Sequence, residues 1–168
     1  MDLGLLLLRL LVGGLLFGHA TQKMFGWFGG HGPAGTAPVF ESWGLRPGKP
    51  LVLFAAASEL LASLLLVLGL LTPFAAALAL GAMTVASWVN HSKGLWAQSG
   101  GYELALMYGG IAVTLGFTGS GSWSLDHRFG IDFPQIESGA IALAAGLLAG
   151  GGFITYSMRN RRTVPASA

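Results

Sequence analysis

Residues 3–26 read LGLLLLRLLVGGLLFGHATQKMFG, an apolar run with one arginine near its start and a His-x-x-Gln-Lys group near its end. At about 1.5 Å per residue, a helix over this run reaches across a hydrocarbon layer about 30 Å thick. Four further apolar stretches follow at about 50–71, 73–92, 102–119 and 136–157, each long enough for the same crossing. The pattern predicts an all-α, polytopic transmembrane bundle of five helices in a single domain over residues 1–158, followed by a polar, disordered tail at 159–168.

Composition agrees. Of 168 residues, 53% are hydrophobic and 10% charged, where soluble domains run near a quarter charged. There is no cysteine, so the chain can form no disulfide and hold no Cys-ligated cluster or zinc site. The formal charge of +2 comes without a basic stripe, which excludes a nucleic-acid partner and makes the cations topology signals. The start lacks the basic segment and cleavage site of a removable signal, so the first run is read as retained.

The connections are informative. Only LTP separates the second and third stretches, with Pro73 suited to a first helical turn and Thr72 to a cap. Between the first and second lies WFGGHGPAGTAPVFESWGLRPGKP, too polar to cross and too aromatic for a free linker. It is expected to fold back on the helix ends, with Trp27, Phe28, Phe40 and Trp43 at headgroup level beside Trp88, Trp96 and Tyr102. The loop TGSGSWSLDHRFGIDFPQ sits at the opposite side. Counting cations, Lys23, Arg46, Lys49, Lys93, Arg159, Arg161 and Arg162 lie on one side, against Arg128 and Arg9 on the other. The positive-inside rule then puts the first loop and the C-terminus in the cytoplasm and the N-terminus outside.

Ionisable groups inside spanning segments carry the chemistry, because an unpaired charge at the bilayer centre costs at least about 2.5–3.5 kcal/mol. Arg9, His19 and Glu59 are such groups. Arg9 either snorkels outward or is buried with a partner. His19 and Glu59 come out about 10 and 13 Å below the same boundary, at similar depth. His19, Gln22 and Lys23 share a helix face by their spacing, and His91 and Glu103 close and open helices on that side. The cluster serves either to glue the bundle or as a ligand and proton-transfer site. Neither His31 nor His127 has a second ligand at metal spacing, so neither metal nor haem is expected. Two small-xxx-small pairs, Gly14 with Gly18 and Gly146 with Gly150, suit close helix packing or a homo-oligomer interface.

In order along residues 5–126, His-x-x-Gln-Lys, Phe-Gly-Trp-Phe-Gly-Gly, Leu-Thr-Pro, Gly-Tyr-Glu and Ser-Leu-Asp resemble the DoxX family of small bacterial membrane proteins. That resemblance implies a four-helix membrane core in a bacterial plasma membrane, to which the last helix here is an addition. Where the family more often has Gly-Pro-Gly before Ser-Leu-Asp, this chain has GSGSWSLD. It further implies a link to quinone-connected sulfur oxidation and to thiol-redox or detoxification partners. On that basis the expected role is a membrane subunit of a quinone-linked oxidoreductase. His19 and Glu59 would carry protons, Gln22, Lys23, His91 and Glu103 would bind the quinone head, and a partner protein would supply electrons. The alternatives are a non-catalytic scaffold that recruits soluble redox enzymes, and a small-solute carrier, against which no inverted repeat is visible. The residues leave open whether the chain is itself an enzyme.

Overall fold

The computed structural model describes residues 2–162, which form helices and loops only. The helices are α1 (Asp2–Phe25), α2 (Gly32–Ser42), α3 (Gly48–Leu68), α4 (Thr72–Asn90), α5 (Glu103–Thr118), the short α6 (Leu125–Arg128) and α7 (Gln135–Arg162). Residues 159–162, expected in the polar tail, continue α7, and the rest of that tail lies outside the described residues. Among the described residues, four helices are long and apolar enough to cross a membrane: α1, α3, α4 and α7. The fifth expected crossing, 102–119, is a shorter helix of 16 residues, because the polar turns on either side end it at Glu103 and Thr118. The protein is a multi-pass membrane bundle.

Residues facing one another fix the directions. Lys23 meets Glu59, Gly13 lies against Ser63 and Val67, and Arg9 lies against Gly69, so α1 and α3 are antiparallel. Gly109 faces Met83 and Gly116 faces Ala76, so α4 and α5 are antiparallel as well. The α1, α3, α4 and α5 helices make the four-helix core around Val12, Leu16, Ala62, Leu66, Ala79, Ala112 and Leu115. The added helix α7 runs parallel to α4 on its outer side, where Gly146 and Gly150 let the backbones approach: a Cβ on Gly146 would fall 2.9 Å from the Ala77 carbonyl oxygen. This glycine pair therefore packs within the chain, whereas Gly14 and Gly18 meet nothing within 4 Å.

The first connection contains a helix that its composition hides. Its Gly and Pro content reads as loop, yet Pro33 stands in the first turn of α2, where a missing N–H costs nothing. The α2 helix lies across the start of α3, with Phe40, Leu45 and Val52 in a second small core. Phe40 is thus a core residue, and Trp43 packs against it, whereas Trp27 and Phe28 are exposed as expected. At the other end, α3 stops at Gly69 in the left-handed conformation, with Leu70 N–H bonded to Leu65 O at 2.9 Å. The cap of α4 differs from expectation. Thr72 is its first residue, and the Asp126 carboxylate accepts from Leu71 N, Thr72 N and Thr72 Oγ1 at 2.7, 3.1 and 2.9 Å. Asp126 supplies the cap from across the bundle because a carboxylate satisfies several orphan donors at a positive helix end.

Candidate functional site

The polar groups of the span form two clusters, one near each end of the bundle. At the α2 end, Lys23 in the last turn of α1 reaches down to Glu59 in the middle of α3, with Nζ 2.6 and 2.5 Å from the two carboxylate oxygens. Glu59 is 3% exposed, and Lys23 is its one ion-pair partner among the described residues. The side chains are unequal in access, 26% for Lys23 against 5% for Glu59. Lys23 thus runs a partly exposed side chain from the last turn of α1 down to a carboxylate in the middle of α3. An ammonium carries three N–H donors, and the third has no partner among the described bonds.

Sequence spacing brings His19 to the same helix face, but the structure gives it another neighbour. The His19 ring meets Tyr108 of α5 edge-on, with centroids 5.8 Å apart and planes at 66°. Glu59 of α3 is paired with Lys23, while His19, one turn earlier on α1, packs on Tyr108 of α5. Tyr108, which sequence reasoning missed, packs on the main core and closes the α1–α5 side of the bundle there. Gln22 donates from Nε2 to the Phe28 carbonyl at 3.2 Å. The loop after α1 is pressed against it, since a Cβ on Gly30 would fall 2.4 Å from the Gln22 carbonyl oxygen. That is the expected folding back.

His91 and Glu103 stand at the α4–α5 connection. Among the described residues no hydrogen bond or ion pair joins either of them to His19, Gln22, Lys23 or Glu59. Glu103 Oε2 accepts from Ala97 N at 2.9 Å, which stitches the connection to the start of α5. His91 Nδ1 lies 2.9 Å from the Trp88 carbonyl oxygen and must be the donor there, which leaves Nε2 free. Ser87, Trp88, His91, Gly94, Leu95 and Tyr102 line an open groove of about 400 Å³ at this corner.

The second cluster, at the α6 end, was not legible as a unit. Arg9 is fully buried, which decides its case against snorkelling. Its Nη2 donates to Trp123 O at 2.5 Å, and the guanidinium lies against the glycine that ends α3, the negative end of that helix. Asp126 acts on it electrostatically, while among the described residues Nε and Nη1 have no hydrogen-bond partner. Asp2 Oδ1 accepts from Ser122 N at 3.0 Å, tying the start of α1 to the same loop. A cavity of about 310 Å³ beside it is lined by Asp2, Leu5, Thr72, Ser120 and Asp126 among others. Among the described residues no group of three or more His, Cys, Asp or Glu could hold a metal ion.

Comparison with known proteins matches part of this sequence to a family model. The DoxX family model matches residues 4–92, which run from the start of α1 to the end of α4 and include Arg9, His19, Lys23, Glu59 and His91. The chain belongs to the DoxX family. It is 35% identical over 86 residues to an uncharacterized protein of Haemophilus influenzae, a match covering 49% of this chain and 64% of that protein. The chain thus spans just under two thirds of that relative. No solved structure matches.

Proposed function

We propose that this DoxX-family chain is the membrane subunit of a quinone-linked redox system, in which a partner supplies electrons and the Lys23–Glu59 pair holds the proton. The observation that carries the reading is a nearly buried carboxylate tied to one lysine whose side chain is partly exposed. An ionisable pair inside a membrane span is a functional-site candidate by default, and here the ammonium keeps one N–H without a partner among the described bonds. The residues suit a quinone head: the spare N–H of Lys23 can bond a carbonyl oxygen, and exposed Phe25, Trp27 and Phe28 border the approach. A bound quinone would supply the acceptor of electrons and protons. Lys23 would orient its head, Glu59 would hold the ammonium in place and take up or release a proton, and the Gln22–Phe28 bond would keep the loop closed against water. His19, one turn deeper, would relay a proton only through Lys23 or an intervening group, so its contribution is smaller than Lys23's. His91 and Glu103 would bind no part of this head.

By the cation count, the α2 end would face the cytoplasm of a bacterial plasma membrane. Binding is the direct test. A soluble quinone analogue is titrated against the detergent-purified protein and against Lys23→Met, Glu59→Gln, His19→Ala and His91→Ala. Saturable binding lost in the first two variants and kept in His91→Ala supports the site. No binding by the wild type removes the quinone reading and leaves the scaffold, for which the exposed aromatics of the α2 end, Trp96 among them, are the candidate docking edge.

A further inference from the structure

The groove at the α4–α5 corner is left unused by the Lys23–Glu59 site, and it lies beside a cation that the fold has oriented. We propose that this groove binds one anionic phospholipid, with Arg161 of α7 holding the phosphate. The inference rests on membrane placement and is independent of the quinone reading.

Arg161 is fixed at two points. Its Nε donates to the Trp43 carbonyl at 2.7 Å, and its guanidinium carbon stands 5.0 Å over the Trp88 ring. The neighbouring turn of α7 is strapped to the same corner, with Ser157 Oγ bonded to the Trp43 carbonyl and Tyr156 Oη to the Arg46 carbonyl. Both terminal NH2 groups of Arg161 have no partner among the described bonds. A planar fork already held in place loses little freedom on taking a phosphate, which it can bond at two points.

The surroundings fit a lipid better than a free anion. Trp88, Leu95 and Tyr102 give the groove an apolar floor, which inorganic phosphate would not use and an acyl-glycerol would. Position agrees: the apolar spans of α4 and α7 end at Lys93 and Arg161, so the groove opens where headgroups lie. Lys93 stands at the same corner, at the end of the α4 span, and the nearby carboxylates of Glu103 and Glu41 are each engaged by a backbone N–H, of Ala97 and of Gly48. If this end is cytoplasmic, it meets the anionic leaflet.

The test uses the full chain in detergent micelles, titrated with phosphatidylglycerol, phosphatidylcholine or inorganic phosphate, with retained lipid counted by native mass spectrometry. The expected result is one retained phosphatidylglycerol, with affinity about tenfold weaker in Arg161→Gln and an intermediate loss in Arg161→Lys, which keeps the charge and lacks the fork. Arg128→Gln, at the other end, should bind as wild type. Should Arg161→Gln disturb the strap, visible as a lower melting temperature, Arg161→Lys and Lys93→Gln carry the comparison in folded protein. Equal retention of phosphatidylcholine, retention unchanged in the folded Arg161 variants, or full displacement by inorganic phosphate would each overturn the lipid site.

Discussion

Removing Lys23 should unfold this bundle more readily than removing Glu59, although the two make the same contact. Glu59 sits in the middle of α3 at 3% exposure, so Lys23→Met strands a carboxylate with no water and no second ion-pair partner among the described residues. Breaking a buried pair in that way costs about 3–5 kcal/mol, a hundredfold or more in the unfolding equilibrium. Glu59→Gln instead strands an ammonium on a flexible stem that is already 26% exposed and can turn toward headgroups. Its loss should be nearer the about 1.5–3 kcal/mol of a charged hydrogen bond. In Lys23→Met/Glu59→Gln both charges are gone, so the double variant should be no less stable than Lys23→Met alone, with a coupling of about 2–3 kcal/mol. Equilibrium unfolding of the four proteins in mixed micelles measures the cycle. A cost for Lys23→Met below about 1 kcal/mol, typical of exposed pairs, or a larger cost for Glu59→Gln than for Lys23→Met, would refute the asymmetry.

Three further outcomes are expected from the same unfolding assay. Gly69→Ala should cost more than about 2 kcal/mol, since its φ of +63° disfavours a side chain and its Cβ would fall 1.8 Å from Arg9 Nη1; a smaller loss would mean that Arg9 relocates freely. Gly146→Ala should destabilise by about 1–3 kcal/mol through overpacking against α4, while Gly14→Ala, which meets open space, should be neutral or slightly stabilising in the monomer. Asp126→Ala should cost at least about 3 kcal/mol by orphaning three donors at the start of α4, and Asp126→Asn, which keeps one acceptor, should recover part of it.

The helices that were readable from sequence are those whose signal is carried by long apolar runs: α1, α3, α4 and α7 differ from expectation mainly at their ends. What was not readable has a physical reason in each case. The α2 helix is built from Gly, Ala and Pro, has only Gly32 and Phe40 buried, and takes its stability from lying on α3, so no local pattern reports it. The site was half legible. Polar spacing selects His19, Gln22 and Lys23 as neighbours on α1, but which helix each one faces depends on packing order around the core, and that order gave Glu59 to Lys23 and Tyr108 to His19. The hydrogen-bond partner of Arg9, the Trp123 carbonyl, lies more than a hundred residues away, in a serine- and glycine-rich loop whose Ser-Leu-Asp was visible only as a motif.

Two of the buried charges, Arg9 and Glu59, are held in opposite ways. Arg9 is met mainly by fixed backbone, the Trp123 carbonyl and the C-terminal end of α3, neither of which can move without unwinding a helix or the α6 loop. It keeps its charge at any physiological pH, so nothing about it can switch. Glu59 is met by a side chain alone, on a flexible stem, at the end of a helix beside a loop. That contact can open by rotation of one side chain without disturbing the core. A bundle that needed only glue at the α2 end could use backbone there too. With a pair of side chains at one end and a backbone-held arginine at the other, the proposed binding site is sought at Lys23 and Glu59, and Arg9 variants are expected to lose stability with no separate loss of binding at the α2 end.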